Sequence, residues 1–126
     1  CAAALATLDL MEGQNFVTRV AEDVGPYLQS KWKELEDHPI VGHVRGIGML
    51  GSIELVRDKN TRERLESDQK SGGICREFCI KNNLIMRAVG DSMIISPPFV
   101  CSHGDIDLLI ERAKKSLDQT AAYYSV

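Results

Sequence analysis

The sequence predicts an α+β domain, a small antiparallel or mixed sheet of three to four strands with helices on one face, and three observations carry that prediction. Apolar residues recur every three to four positions from Phe16 to Leu35 and again from Ile106 to Thr120, which is helical spacing. From Ile40 the period shortens to two, as in a half-buried strand. Between Leu84 and Phe99 two short runs rich in Ile, Met and Val flank Gly90-Asp91, so the stretch reads strand, turn, strand.

In chain order, Leu5, Leu8 and Met11 keep helical spacing until Gly13, which reads as a stop, and Asn15 is placed to cap a second helix. That helix turns Phe16, Val20, Val24, Tyr27 or Leu28, Trp32 and Leu35 to one side. Gly25-Pro26 falls in its middle, where proline removes a backbone bond and crowds the preceding turn, so a kink or a break into two helices is expected. His38-Pro39 ends it, because the residue before proline is driven out of helical space.

Val41, His43 and Arg45 alternate with Gly42 and Val44 in a first strand, and Ser52 to Val56 form a second after a glycine-rich connection, Gly46 to Gly51. Asp58 to Lys70 is polar, charged and without an apolar stripe, an excursion before the next helix. Ile74, Phe78 and Ile80 or Lys81 give that helix its inner face, and Asn82-Asn83 ends it. In the hairpin, Leu84, Met86 and Ala88 alternate with Ile85 and Arg87, which places a guanidinium beside an isoleucine at the rim. Pro97 and Pro98 cannot both serve a ladder, so the second arm ends near Ser96. The last helix, Asp105 to Tyr123, carries Ile106, Leu109, Ile110, Ala113, Leu117 and Thr120 inward, with Ser102 or His103 near its cap and Asp105 and Asp107 in its first turn.

Composition narrows the function classes. With 126 residues, 44% of them hydrophobic and 26% charged, the chain fits one compact domain with a real core. The formal charge is −3 and no run of Lys and Arg exceeds two residues, which argues against a nucleic-acid partner. No apolar run approaches the twenty or so residues of a membrane span. Cys1-Ala2-Ala3-Ala4-Leu5-Ala6 lacks the basic start of a signal peptide, and Asp9 and Glu12 follow closely. The chain opens inside a helix without an initiator methionine and is expected to be a piece of something longer. Four cysteines without a framework pattern fit reduced thiols in a cytoplasmic protein.

Several motifs favour the plain reading. Gly46-Ile47-Gly48-Met49-Leu50-Gly51 matches G-x-G-x-x-G, but a strand follows where a dinucleotide site needs the N-terminus of a helix. Cys75 and Cys79 stand one helical turn apart without a histidine pair to complete a metal site, so no metal is expected. His38, His43 and His103 pair with no nucleophile and read as structural or solvated. On spacing alone Arg87 is a surface ion pair with Asp91 or a group awaiting a carboxylate, and Arg45 a residue that holds neighbouring carbonyls.

A succession of motifs goes further. Ala2 to Ala6, then Val44-Arg45-Gly46-Ile47-Gly48-Met49-Leu50-Gly51 with Ile53-Glu54-Leu55-Val56, then Leu84-Ile85-Met86-Arg87-Ala88-Val89-Gly90-Asp91 with Ile95-Ser96-Pro97-Pro98, resembles in order and spacing the C-terminal domain of class III (fold-type I) aminotransferases. The likeness is strongest to the omega-amino-acid:pyruvate transaminases. Ornithine-type members tend to carry an arginine shortly before the double proline, where this sequence has Ile94 or its neighbours.

The resemblance implies a homodimeric, pyridoxal 5′-phosphate-dependent enzyme that moves an amino group from an amine or omega-amino acid donor to a keto acid, pyruvate. It implies that residues 1–126 are its C-terminal domain, with residues 1–14 the end of a helix leading in from a large domain that is missing here. The Schiff-base lysine and the cofactor's other partners belong to that large domain or the partner subunit, so no catalytic, cofactor-binding or metal residue is assigned in this chain, and the piece alone is expected to be inactive. One functional residue carries over: Arg87, at the position of the arginine that meets the substrate carboxylate. The competing expectation is a non-catalytic α+β binding or dimerisation module, since a fold does not fix a function.

Overall fold

The structure, a computed structural model, describes residues 1–66, 68 and 70–126. Among these residues four antiparallel strands form one sheet in the order β1-β2-β4-β3, with β1 Val41–Ile47, β2 Leu50–Leu55, β3 Arg87–Val89 and β4 Ser92–Ile95. Among the described residues five α-helices accompany it: α1 Ala2–Gly13, α2 Phe16–Arg19, α3 Gly25–Lys33, α4 Ser71–Lys81 and α5 His103–Tyr123. The core lies between the helices and one sheet face, where Ile53, Leu55, Met93 and Ile95 meet Leu28, Trp32, Ile106 and Leu117. The other face carries Arg45, Glu54 and Arg87 into the open.

The expected break at Gly25-Pro26 takes the form of a π-helical turn, Val20–Val24, before α3. The Gly25 N–H donates to the Val20 carbonyl, and a Cβ on Gly25 would fall 2.1 Å from that oxygen, so the widened turn needs glycine there. A 3-10 turn, Glu34–Asp37, closes the segment, and His38 leaves in extended geometry before Pro39. From this segment to α5 four polar pairs keep one offset of eighty residues: His103 with Asp23 at 2.7 Å, Tyr27 with Asp107 at 2.7 Å, Lys114 with Glu34 at 2.9 Å and His38 with Asp118 at 3.1 Å. The two stretches therefore run parallel, their buried stripes sealed along one flank.

Three local expectations need correction. Asn15 precedes α2 but sits in the left-handed region at φ 51° and makes no side-chain cap, so it works as a hinge residue between two helices. On α4 the inward residues are Ser71, Gly72, Cys75 and Cys79, whereas Ile74 and Phe78 are half-buried and Ile80 is exposed. Gly72 sets that phase, since its missing side chain lets α4 approach the Gly90 carbonyl. Strand β3 begins at Arg87, and Leu84 to Met86 lie outside the ladder while keeping the expected alternation of burial. In β1 a bulge between Val41 and His43 lets Val41 face the core and His43 the open side; a Cβ on Gly42 would strike Val56 at 2.7 Å. The excursion from Asp58 to Lys70 is turns plus one bridge between Asp58 and Glu63, and its residues 67 and 69 lie outside the described residues.

Candidate functional site

Alternation on a pleated sheet puts every second residue on the same face, and the register then decides which side chains become neighbours. Here Arg45 pairs with Ser52, Ser52 with Ile94, and Ile94 with Arg87. One row therefore crosses the open face with an arginine on each edge strand and a serine and an isoleucine between. Three strand spacings separate the two arginine Cα atoms by roughly 14 Å. The next row holds His43, Glu54, Ser92 and Val89.

Arg87 is exposed and makes no hydrogen bond or ion pair among the described residues. The ion pair with Asp91 that spacing suggested is absent because Asp91 is engaged elsewhere. Its Oδ1 accepts the Ser71 hydroxyl at 2.7 Å, and its Oδ2 lies 3.8 Å from Arg64 Nε. Chain geometry explains the difference, since Arg87 points to the open face while the Gly90-Asp91 turn curls toward α4. Gly90 takes φ 59° as the first residue of that two-residue turn, a position that suits glycine.

Arg45 does not hold neighbouring carbonyls either. Gln29 takes that task, its Nε2 donating to the Gly48 carbonyl at 2.9 Å and the Leu50 carbonyl at 3.1 Å. Gly46 gives it room, for a Cβ there would fall 2.3 Å from Gln29 Oε1. The glycine-rich stretch is thus a tight β1-β2 hairpin with Gly48-Met49 at its tip, and no helix follows to receive a pyrophosphate.

Two depressions border this face. One, of about 330 Å³, is lined by Arg45, Ile47, Leu50, Ser52 and Ile94. The other, of about 590 Å³, lies between the π-helical region and the β1-β2 hairpin, with Phe16, Val20, Pro26, Ile47 and Phe99 in its wall. Both are mostly apolar, so an anion entering the first would meet a guanidinium against a low-dielectric wall, where a bidentate pair is strongest.

None of the seven lysines lines either depression. Lys31 and Lys114 flank Glu34, whose carboxyl they hold below the usual carboxylate range, Lys114 chiefly. Lys59 donates to the Glu36 carbonyl, Lys70 pairs with Asp68, and Lys81 stands over the Phe78 ring. Cys75 and Cys79 are buried side by side, and the proton that Cys75 shares toward the Cys79 sulfur, together with burial, pushes the Cys75 thiol up. Cys79 Sγ rests 3.7 Å from Met86 Sδ, beneath the Arg87 strand. His38 and His103 belong to the helix-pairing flank, and His43 lies on the open face. Among the described residues no helix is long and apolar enough to cross a membrane, and no group of His, Cys, Asp and Glu is arranged to hold a metal.

Sequence reasoning singles out Arg87 as a candidate but not the contacts of the turn beside it. Ser71 and Arg64 stand 20 and 27 residues from Asp91, and no local signal ties them to it.

The family model described as aminotransferase class-III matches residues 1–117. Over 121 residues the chain is 51% identical to a putrescine–pyruvate aminotransferase of Pseudomonas aeruginosa, covering 96% of this chain and 26% of that protein. It is 32% identical over 120 residues to the mitochondrial gamma aminobutyrate transaminase 1 of Solanum lycopersicum, covering 95% and 23%. Among solved structures, a transaminase with L-alanine superposes with a TM-score of 0.92 at 32% identity, over 99% of this chain and 29% of that one. A thermostable omega transaminase from Pseudomonas jessenii superposes with a TM-score of 0.91 at 28% identity, over 98% and 27%. The chain spans about a quarter of the length of the curated relatives it matches.

Proposed function

Because the chain belongs to the class III aminotransferases, we propose that it is the C-terminal domain of an enzyme that moves an amino group from an amine or omega-amino acid to pyruvate, and that Arg87 grips the substrate carboxylate. Residues 1–14 are the end of the helix that leads in from the large domain, and the parent enzyme is a cytoplasmic homodimer. The observation that carries the reading is an exposed guanidinium on an edge strand whose one sequence-adjacent carboxylate is engaged elsewhere. A free guanidinium at a sheet rim offers two parallel N–H donors to a carboxylate, and its long stem can swing to water when the donor brings an apolar group instead.

The parent enzyme uses pyridoxal 5′-phosphate, which supplies the electron sink for the reaction when bound. The residues of this chain do not fit that group: every lysine is turned to the outer surface or held by a neighbour, away from both depressions. The chain therefore contributes recognition and closure, and by itself it is inactive.

The test is Arg87→Ala in the complete enzyme, with the half-reactions measured separately because pyruvate itself carries a carboxylate. Pyruvate and β-alanine should lose about 2–3 kcal/mol of transition-state stabilisation, the worth of a charge-assisted bidentate pair. An uncharged amine should lose far less. Equal losses for both substrate types would reject the role.

A further inference from the structure

We infer that Asp91 is a positioning residue for substrate-carboxylate recognition: clamped by Ser71 and the start of α4, it fixes the hairpin from which Arg87 reaches. The inference rests on the reading of Arg87 given above. It begins from a mechanical weakness in the sheet. Strand β3 is three residues long, lies at the sheet edge and, among the described residues, is hydrogen-bonded in the sheet to β4 alone, so the ladder by itself holds Arg87 loosely.

The turn supplies the missing restraint. The Asp91 side chain is only 10% exposed and meets a hydroxyl, Ser71, that is wholly buried. The Asp91 carbonyl accepts the Leu55 N–H at 2.9 Å, and the Gly90 carbonyl accepts the Gly72 N–H at 3.2 Å. One two-residue turn is thus tied to the end of β2, to the first residues of α4 and, through Arg64, to the loop before it. The carboxylate also lies at the end of α4 where the helix dipole favours negative charge. Space enforces the arrangement, because a Cβ on Gly72 would fall 2.3 Å from the Gly90 oxygen.

Arg87 is four residues from Asp91 across this tight turn, so a tilt of the hairpin is carried directly into the position of the guanidinium. Misplacement by about an ångström at a reacting or binding centre is enough to cost a large factor in rate. Ser71, Asp91 and Gly72 line neither depression, and the turn they hold is the one that joins the Arg87 strand to β4.

The experiment compares Asp91→Ala, Asp91→Asn, Arg87→Ala and the double variant Asp91→Ala/Arg87→Ala in the complete enzyme loaded with its cofactor. Half-reactions are followed with β-alanine, pyruvate and an uncharged amine. Asp91→Ala should raise KM for the two carboxylate substrates about tenfold with kcat changed less than threefold, and leave kcat/KM for the amine within about twofold. Asp91→Asn, which keeps an oxygen for the Ser71 hydroxyl, should recover most of the loss. In the Arg87→Ala background Asp91→Ala should add nothing further, the signature of a residue acting through another. Hydrogen exchange at Ala88 to Gly90 should accelerate in Asp91→Ala and return toward the parent rate in Asp91→Asn.

An Asp91→Ala variant that harms the amine as much as β-alanine, or whose loss adds fully to that of Arg87→Ala, would overturn the inference while leaving the Arg87 reading intact. An Arg87→Ala variant that does not discriminate between the substrates would fail the underlying reading instead. Activity on the amine shows in the same assay that the variants are folded.

Discussion

Gly51 is the point where the single tryptophan touches the sheet, and replacing it by alanine tests how tightly α3 is set against β2. A Cβ at Gly51 would fall 2.7 Å from Trp32 Nε1, 2.9 Å from Trp32 Cε2 and 3.0 Å from Ile95 Cγ1. Ordinary contact begins near 3.4 Å, so the wholly buried indole must retreat by roughly 0.7 Å, and a gap of that size forfeits a quarter to a half of the dispersion well along its face. The indole N–H, already 3.4 Å from the Ser52 carbonyl, loses that acceptor as it moves, at about 1 kcal/mol. Overpacking in a closed core typically costs ~1–3 kcal/mol, and the smaller entropy of unfolded alanine returns about 0.5 kcal/mol. The expected net loss is about 2 kcal/mol, or roughly 8 °C in Tm for a domain of this size. Urea and thermal unfolding followed by far-ultraviolet circular dichroism measure it. Gly73→Ala is the control, since nothing lies within 4 Å of its Cβ and it sits exposed within α4, where alanine should stabilise by about 0.5–1 kcal/mol. If Gly51→Ala proves as stable as the parent, or if both glycines respond alike, the close packing of Trp32 on β2 is refuted.

Two further outcomes follow from other parts of the molecule. Ile94 is the register neighbour of Arg87, so Ile94→Arg sets a second guanidinium beside the first. In the complete enzyme it should improve a dicarboxylate keto acid relative to pyruvate by about tenfold, since one more charge-assisted bond is worth about 1.5 kcal/mol; an unchanged ratio of kcat/KM values would count against Ile94 facing the substrate. Ser102 caps α5 through a reciprocal pair with Asp105, whose carboxyl is held below its ordinary value by the Ser102 backbone N–H and hydroxyl. Because that folded pKa is depressed, the cap's stabilisation is complete above the ordinary carboxylate range and is lost as pH falls through the depressed value. Ser102→Ala should therefore cost about 1 kcal/mol near neutral pH, with the difference in Tm shrinking in acid; a difference independent of pH would exclude the capping box as its source.

Much of the architecture was legible in the order of residues because its causes are short-range. Gly25-Pro26 must disturb a helix wherever it is placed, Gly90-Asp91 between apolar runs must turn, and Pro97-Pro98 must leave a ladder. Ile106 to Thr120 has the right stripe because helical period and burial are one constraint. Arg87 was legible as a candidate from a succession of motifs, and its exposure follows from strand alternation alone.

The tertiary structure decided what depends on residues distant in the chain. The phase of α4 turned on a glycine meeting a carbonyl 18 positions away, so the large side chains Ile74 and Phe78 yielded the inner face to Cys75 and Cys79. Spacing pairs Asp91 with Arg87, and only the curl of the turn toward α4 gave it Ser71 instead. The row of Arg45, Ser52, Ile94 and Arg87 exists only because three register choices agree, each set by which face must be buried. Period and turn chemistry act over a few bonds and are written in the chain; partnership between elements is settled by competition for buried space, which no single segment contains.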